Sequence, residues 1–165
     1  ARAIMVTTSE SLANAVSDEV ERQLKSLPRE SIACPAIENN SYIAVMDSVE
    51  DMFTVMNEVA PEHLEIQLPD PMGYMSLVQN AGSVFLGAYA SEPLGDYVGG
   101  TNHVLPTSGT ARFSSPLGVY DFVKRTSFTQ FTKERLEEVA KHITTLARTE
   151  GLEAHARAIE VRFEK

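Results

Sequence analysis

Cysteine occurs once in this 165-residue chain, at Cys34, and tryptophan does not occur at all. A single thiol excludes an intrachain disulfide and a thiolate cage around a metal. It fits a reducing compartment, so a cytoplasmic location is expected. Positive charge is also scarce: 14 Lys and Arg face 23 Asp and Glu, a formal charge of −9, and no basic run breaks the balance. Such a surface disfavours nucleic acid and anionic membranes as partners. Long apolar runs are missing too, since no stretch approaches the roughly 18 residues of a membrane-spanning helix. The first residues lack the basic and apolar regions of a signal peptide, and no internal repeat or low-complexity segment interrupts the chain.

What remains is the composition of a folded soluble domain, with 43% hydrophobic and 22% charged residues. A chain of this mass removes about 69% of its unfolded surface from water, enough for a core without covalent help. The opening Ala1-Arg2-Ala3-Ile4-Met5-Val6 reads as a strand from its first residues and has no initiator Met, as expected of a chain cut from something longer.

After the apolar run 3–7 and the cap-like Thr7-Thr8-Ser9, Leu12, Val16, Val20, Leu24 and Leu27 recur at helical spacing until Pro28. An extended stretch through Cys34-Pro35 and Asn39-Asn40 is expected to lead into a second strand near 42–45. Ser48 with Asp51 resembles a capping box, and Val49, Met52, Phe53, Met56 and Val59 form the next helical stripe. A third strand fits 64–68, a short helix 72–78 and a fourth strand 83–86. Strands alternating with helices predict an α/β fold: an incomplete, Rossmann-like, mostly parallel sheet with helices on its faces, followed by a C-terminal helical extension. The expected domains are 1–116 and 117–165. The first holds a long aperiodic segment, 87–116, with five glycines and three prolines, and a loop of that length is usually functional. Within the second, 117–124 fits a short helix, 127–131 a strand, and Thr132 starts a long helix that breaks at Gly151 before another over 152–163. This helical pair would pack on the parent domain or on a partner subunit.

Candidate chemistry concentrates at a few positions. Glu62 and His63 place a carboxylate beside an imidazole at a strand edge, which suits acid/base work as well as a structural pair. Asp96 and His103 lie in the glycine-rich segment, where oxygen and nitrogen donors suit zinc or manganese, or a turn-rich connection with solvated polar groups. Thr107-Ser108-Gly109-Thr110-Ala111-Arg112 could mimic a phosphate loop, yet it lacks the Walker lysine and a preceding strand. Glu150, Glu153 and His155 flank the Gly151 break, and His142 reads as a surface histidine.

Four segments together are distinctive: A-P-E-H-L-E-I at 60–66, A-G-S-V-F-L-G at 81–87, G-D-Y-V-G-G-T-N-H-V-L-P-T-S-G-T-A-R-F-S-S-P-L-G-V-Y-D-F at 95–122, and E-G-L-E-A-H at 150–155. In this order, and over essentially the whole chain, they resemble the carboxy-terminal part of histidinol dehydrogenases. That family oxidises L-histidinol to L-histidine through the aldehyde, with two hydride transfers to NAD and a zinc ion in the site. The resemblance implies that His63 is the general base and that Glu62 activates the attacking water. Asp96 and His155 correspond to zinc ligands that also contact substrate, His155 reaching across a homodimer into the neighbouring subunit's site. His103 and Glu150 correspond to substrate-binding residues. Two further zinc ligands of the family, a glutamine and a histidine, come from a motif upstream of Ala1. The dinucleotide-binding part is upstream as well, and no G-x-G-x-x-G occurs here.

The leading expectation is thus one segment of a zinc- and NAD-dependent dehydrogenase, inactive alone. The alternative is a non-catalytic α/β assembly or ligand-binding module derived from the same family. A metal hydrolase using Glu62 and His63 is chemically allowed but lacks a nucleophile in context.

Overall fold

The computed structural model describes residues 1–164. They form two compact units, Ala1–Val123 and a second beginning at Lys124. In the first unit the order is β1 (Ile4–Thr7), α1 (Glu10–Leu24), α2 (Glu30–Asn40), β2 (Tyr42–Val45), α3 (Val49–Val59), β3 (His63–Ile66), a 3₁₀ segment (Pro71–Leu77), β4 (Ser83–Leu86), α4 (Glu92–Tyr97) and two short 3₁₀ turns at Thr110–Arg112 and Val119–Phe122. The second unit is the helical pair α5 (Lys133–Thr149) and α6 (Glu153–Glu160).

Local chemistry accounts for most boundaries. The Ser9 hydroxyl accepts from the Leu12 amide at 3.2 Å and starts α1. Ser48 accepts from the Asp51 amide at 3.1 Å, the N-cap half of the expected capping box, and its hydroxyl donates to the Asp51 carboxylate at 2.6 Å in place of its backbone amide. Thr132 caps α5 through the Arg135 amide. Gly151, at φ +75°, ends that helix in the left-handed region, where a side chain would be strained. The Leu152 amide then closes back on the Ala147 carbonyl at 2.8 Å.

All strand pairing is parallel, as the alternation of elements predicts, and is divided between two two-stranded sheets. β1 pairs with β2 in the register Ile4↔Tyr42, and β3 pairs with β4 in the register His63↔Ser83. Each strand has one neighbour among the described residues, so β1 and β3 both present an edge to the space between the sheets. That space is a cleft of about 1500 Å³, bounded by β1, α3, β3 and the turn at 107–112.

The second sheet sits on the best-formed core. Phe53 of α3 packs with Leu64 and Ile66 of β3, joined by Met56, Tyr74, Leu77 and Val84, and the Phe53 and Tyr74 rings stack at 5.7 Å. Asn57 ties α3 to the approach to β4: its amide donates to the Leu77 carbonyl at 2.9 Å and its oxygen accepts from the Gln79 and Asn80 amides.

Three expectations for local structure change. The stretch 30–40 is a helix despite Pro35, because Ala33, Ala36 and Ile37 share a half-buried face at helical spacing that outweighs the proline's missing donor. The strand expected at 127–131 does not form. Those residues are exposed, and no described strand lies beside them to complete a ladder. The aperiodic segment 87–116 contains α4, begun by Ser91 with Pro93 in the first turn.

Candidate active site

The period-two alternation of β3 divides its side chains between two jobs. Leu64 and Ile66 point into the core, while His63 and Glu65 project from the opposite face. Phe85 of β4, paired with Glu65 in the parallel register, supplies the floor: its ring lies 6.1 Å from the His63 imidazole, tilted by 37°. Helix α4 lies across this face. Its first turn is tied down by the Glu92 amide, which donates to Glu65 Oε1 at 3.0 Å. Gly95 rests directly on the Phe85 ring.

One helical turn separates Glu92 from Asp96, so both carboxylates face the same way. Glu92 Oε1 is 3.8 Å from His63 Nε2, an ion-pair distance beyond hydrogen-bond range. Single ligand atoms of His63, Glu92 and Asp96 lie within 4.8 Å of one another, and all three residues are half-buried. Among the described residues no other trio of His, Cys, Asp or Glu side chains converges in this way. Asp96 also meets His103, its Oδ1 lying 2.8 Å from His103 Nδ1. This hydrogen bond is the main reason the Asp96 carboxyl is held below its usual range. The same bond, followed by the charge of Asp96, raises His103 above an ordinary histidine, and the nearby charges of Glu62 and Glu92 add to the effect.

Within this group the Asp96 carboxylate is a donor that fits zinc. Imidazole nitrogen and carboxylate oxygen are both zinc ligands, and Asp96 keeps one oxygen clear of His103. Glu92 is the member of the group that the sequence analysis missed. Its signal was present in Ser91-Glu92-Pro93-Leu94-Gly95-Asp96: a capping serine, a proline in the first turn and two acids four residues apart describe a short helix with an acidic face.

The loop beyond α4 is braced rather than loose. Asn102 donates to the Leu117 carbonyl at 2.7 Å and accepts from the Val104 amide at 2.8 Å, and the Leu117 amide returns to the Val104 carbonyl at 3.0 Å. The segment 107–112 is no phosphate cradle. Two of its amides are spent internally, Thr110 on Thr107 and Arg112 on Gly109, and the Arg112 guanidinium turns back onto the Gly109 and Glu58 carbonyls. It clamps the C-terminal end of α3, and with Glu62 and His63 it lines the large cleft.

Glu150 and His155 belong to the second unit, which is a hairpin held by its own charges. Arg148 reaches Glu153 and Glu160, each at 2.9 Å, and the buried positions of the two helices are the small residues Ala147 and Ala156. Glu150 caps the C-terminal end of α5 and His155 stands in the first turn of α6, both exposed. His142 is exposed on α5.

A parallel strand pair with an imidazole on its open face, under a short helix carrying two converging acids, defines an α/β chain with a candidate metal-binding or acid/base site. The histidinol dehydrogenase profile matches residues 1–163. A histidinol dehydrogenase of Lactiplantibacillus plantarum is 67% identical over 164 residues, covering 99% of this chain and 38% of its own length. One of Streptococcus mutans is 60% identical over 165 residues, covering the whole chain and 39% of its own length. The crystal structure of histidinol dehydrogenase from Elizabethkingia anophelis superposes with a TM-score of 0.72 at 38% identity, over 99% of this chain and 37% of that one. The chain belongs to the histidinol dehydrogenase family, and it spans less than two-fifths of the length of the relatives it matches.

Proposed function

We propose that this chain is the carboxy-terminal part of an enzyme that oxidises L-histidinol through L-histidinal to L-histidine, using zinc and NAD. The observation that carries this reading is the convergence of His63, Glu92 and Asp96 under α4, with His103 bonded to Asp96, in a chain whose residues 1–163 match the family. Asp96 and His155 would hold the zinc, together with a glutamine and a histidine from outside these 165 residues. When bound, zinc supplies a template for the amine and imidazole of histidinol, and NAD accepts the two hydrides.

The chain's own residues do the remaining work. His63 takes the proton from the substrate hydroxyl on an imidazole nitrogen as the carbon is oxidised, a general-base role that imidazole commonly fills. Glu62 takes a proton from the water that adds to the aldehyde. His103, oriented by Asp96 at 2.8 Å, and Glu150 bind substrate. The braced loop 101–117 keeps His103 in place.

Exposed aromatic side chains are consistent with a larger working unit: Tyr89, Tyr97, Phe113, Phe122 and Phe128 are all largely exposed. The hairpin of α5 and α6 would then form a homodimer in which His155 and Glu150 serve the neighbouring subunit's site. Cytoplasmic operation fits the single cysteine, which is free, and no described helix is long and apolar enough to cross a membrane.

The test is direct. The full-length enzyme carrying this sequence, loaded with zinc, is expected to reduce two NAD per L-histidinol consumed. Zinc-loaded protein that binds histidinol and leaves NAD unreduced would instead identify a ligand-binding module.

A further inference from the structure

We propose that Glu92 is a positioning residue for His63, and that Glu65 anchors it. This rests on the reading of His63 as the base. The geometry forms a closed loop. His63 and Glu65 leave the same face of β3 two residues apart. Glu65 Oε1 accepts the Glu92 amide at 3.0 Å, and the Glu92 side chain comes back to His63 Nε2 at 3.8 Å. The strand that carries the imidazole therefore also sets where the opposing carboxylate stands.

A ring on a strand edge is free to turn about its χ2 unless both sides are met. Here the Phe85 ring meets the imidazole from below, and Glu92 meets it at Nε2. With Nε2 turned toward a carboxylate, Nδ1 is the nitrogen left to face the substrate. At 3.8 Å the carboxylate acts on the ring through its charge, where in other active sites a hydrogen-bonded carboxylate fixes the ring. Of the two acids on α4, Glu92 is the one that forms an ion pair with His63, whereas Asp96 pairs with His103. Glu62, although adjacent in sequence, precedes β3 and shares no backbone anchor with α4.

The decisive variants are Glu92→Gln, His63→Asn and the two together, made in the full-length zinc enzyme and followed by steady-state NADH formation and by metal analysis. Glu92→Gln has nearly the same size as the residue it replaces at a partly exposed position, so the fold is retained. Its kcat should fall roughly 10–100-fold, the usual worth of an orienting partner, with zinc content and the KM for histidinol held. In the His63→Asn background the same change should cost no more than about twofold, because a residue that acts through another loses its effect when that other is gone. Equal losses in both backgrounds would overturn the proposal, as would a KM rise at constant kcat, which marks a substrate contact, or a fall in zinc, which marks a metal ligand. Near-normal turnover of His63→Asn alone would instead overturn the reading of His63 as the base. The single variant thus tests the base, and the double variant tests the positioning.

Discussion

Gly95 lies so close to the ring of Phe85 that a Cβ on residue 95 would stand 2.9 Å from both Cε1 and Cζ. Phe85 is buried in β4, so this contact sets the height of α4 above the strand that carries His63. Anything that lifts α4 moves Glu92 and Asp96 away from the imidazole.

Gly95→Ala should therefore separate stability from activity. A methyl forced against a packed ring costs about 1–3 kcal/mol, and replacing a helix-interior glycine returns about 1 kcal/mol. The net destabilisation, from about 0 to 2 kcal/mol, should lower the thermal unfolding midpoint by a few degrees at most. Turnover should fall on the order of 100-fold, because a displacement near 1 Å is enough to misplace catalytic groups. Full activity in this variant would show that the helix accommodates the methyl without shifting.

Zinc and turnover are expected to part company between the histidines. Asp96→Asn and His155→Ala should lose metal and activity together, since each removes a proposed ligand. His63→Asn should keep its zinc while turnover drops by roughly 10²–10⁴, the usual worth of a general base. His142→Ala, exposed on α5, should change neither. Metal analysis beside NADH formation reads all four, and loss of zinc from His63→Asn would make that residue a ligand.

The hairpin carries its own pH dependence. Hydrogen bonds from Arg148 hold the Glu153 and Glu160 carboxyls below their usual range, and the charge of Arg157 adds to the effect. Groups with a depressed folded pKa contribute stability above their unfolded value, near 4.5, and lose it as pH falls through the folded value. Acid should thus loosen α5 from α6 below about pH 4.5 in the parent protein, and Arg148→Met should flatten that limb. The pairs are exposed, so the effect at neutral pH should be small and screened by salt. Thermal unfolding from pH 7 to pH 3, with and without the substitution, measures it.

Much of this was legible in the residues. Ser48 with Asp51 announced α3, the run 42–45 announced its strand, and Glu62-His63 marked the edge of β3. These are local signals, in which a hydroxyl caps the nearest amide or an apolar period repeats within a few residues. Pro35 misled for the same reason: its local preference is extended, and only the packing of Ala33, Ala36 and Ile37 overrules it. The stretch 127–131 also read as a strand, but a strand needs a neighbour that no pentapeptide can supply.

By itself the sequence determined the helix caps, the parallel α/β alternation, the family motifs and the candidate chemistry at His63, Asp96 and His103. Tertiary structure alone decided that α4 lies over β3, that Gly95 seats on Phe85, and that Glu92 comes within 3.8 Å of an imidazole 29 residues earlier in the chain. The physical reason is range. Capping and periodicity act over one or two turns of backbone, whereas the site exists only after the parallel register of β3 and β4 has brought Phe85 beside Glu65, and Glu65 has in turn caught the first amide of α4.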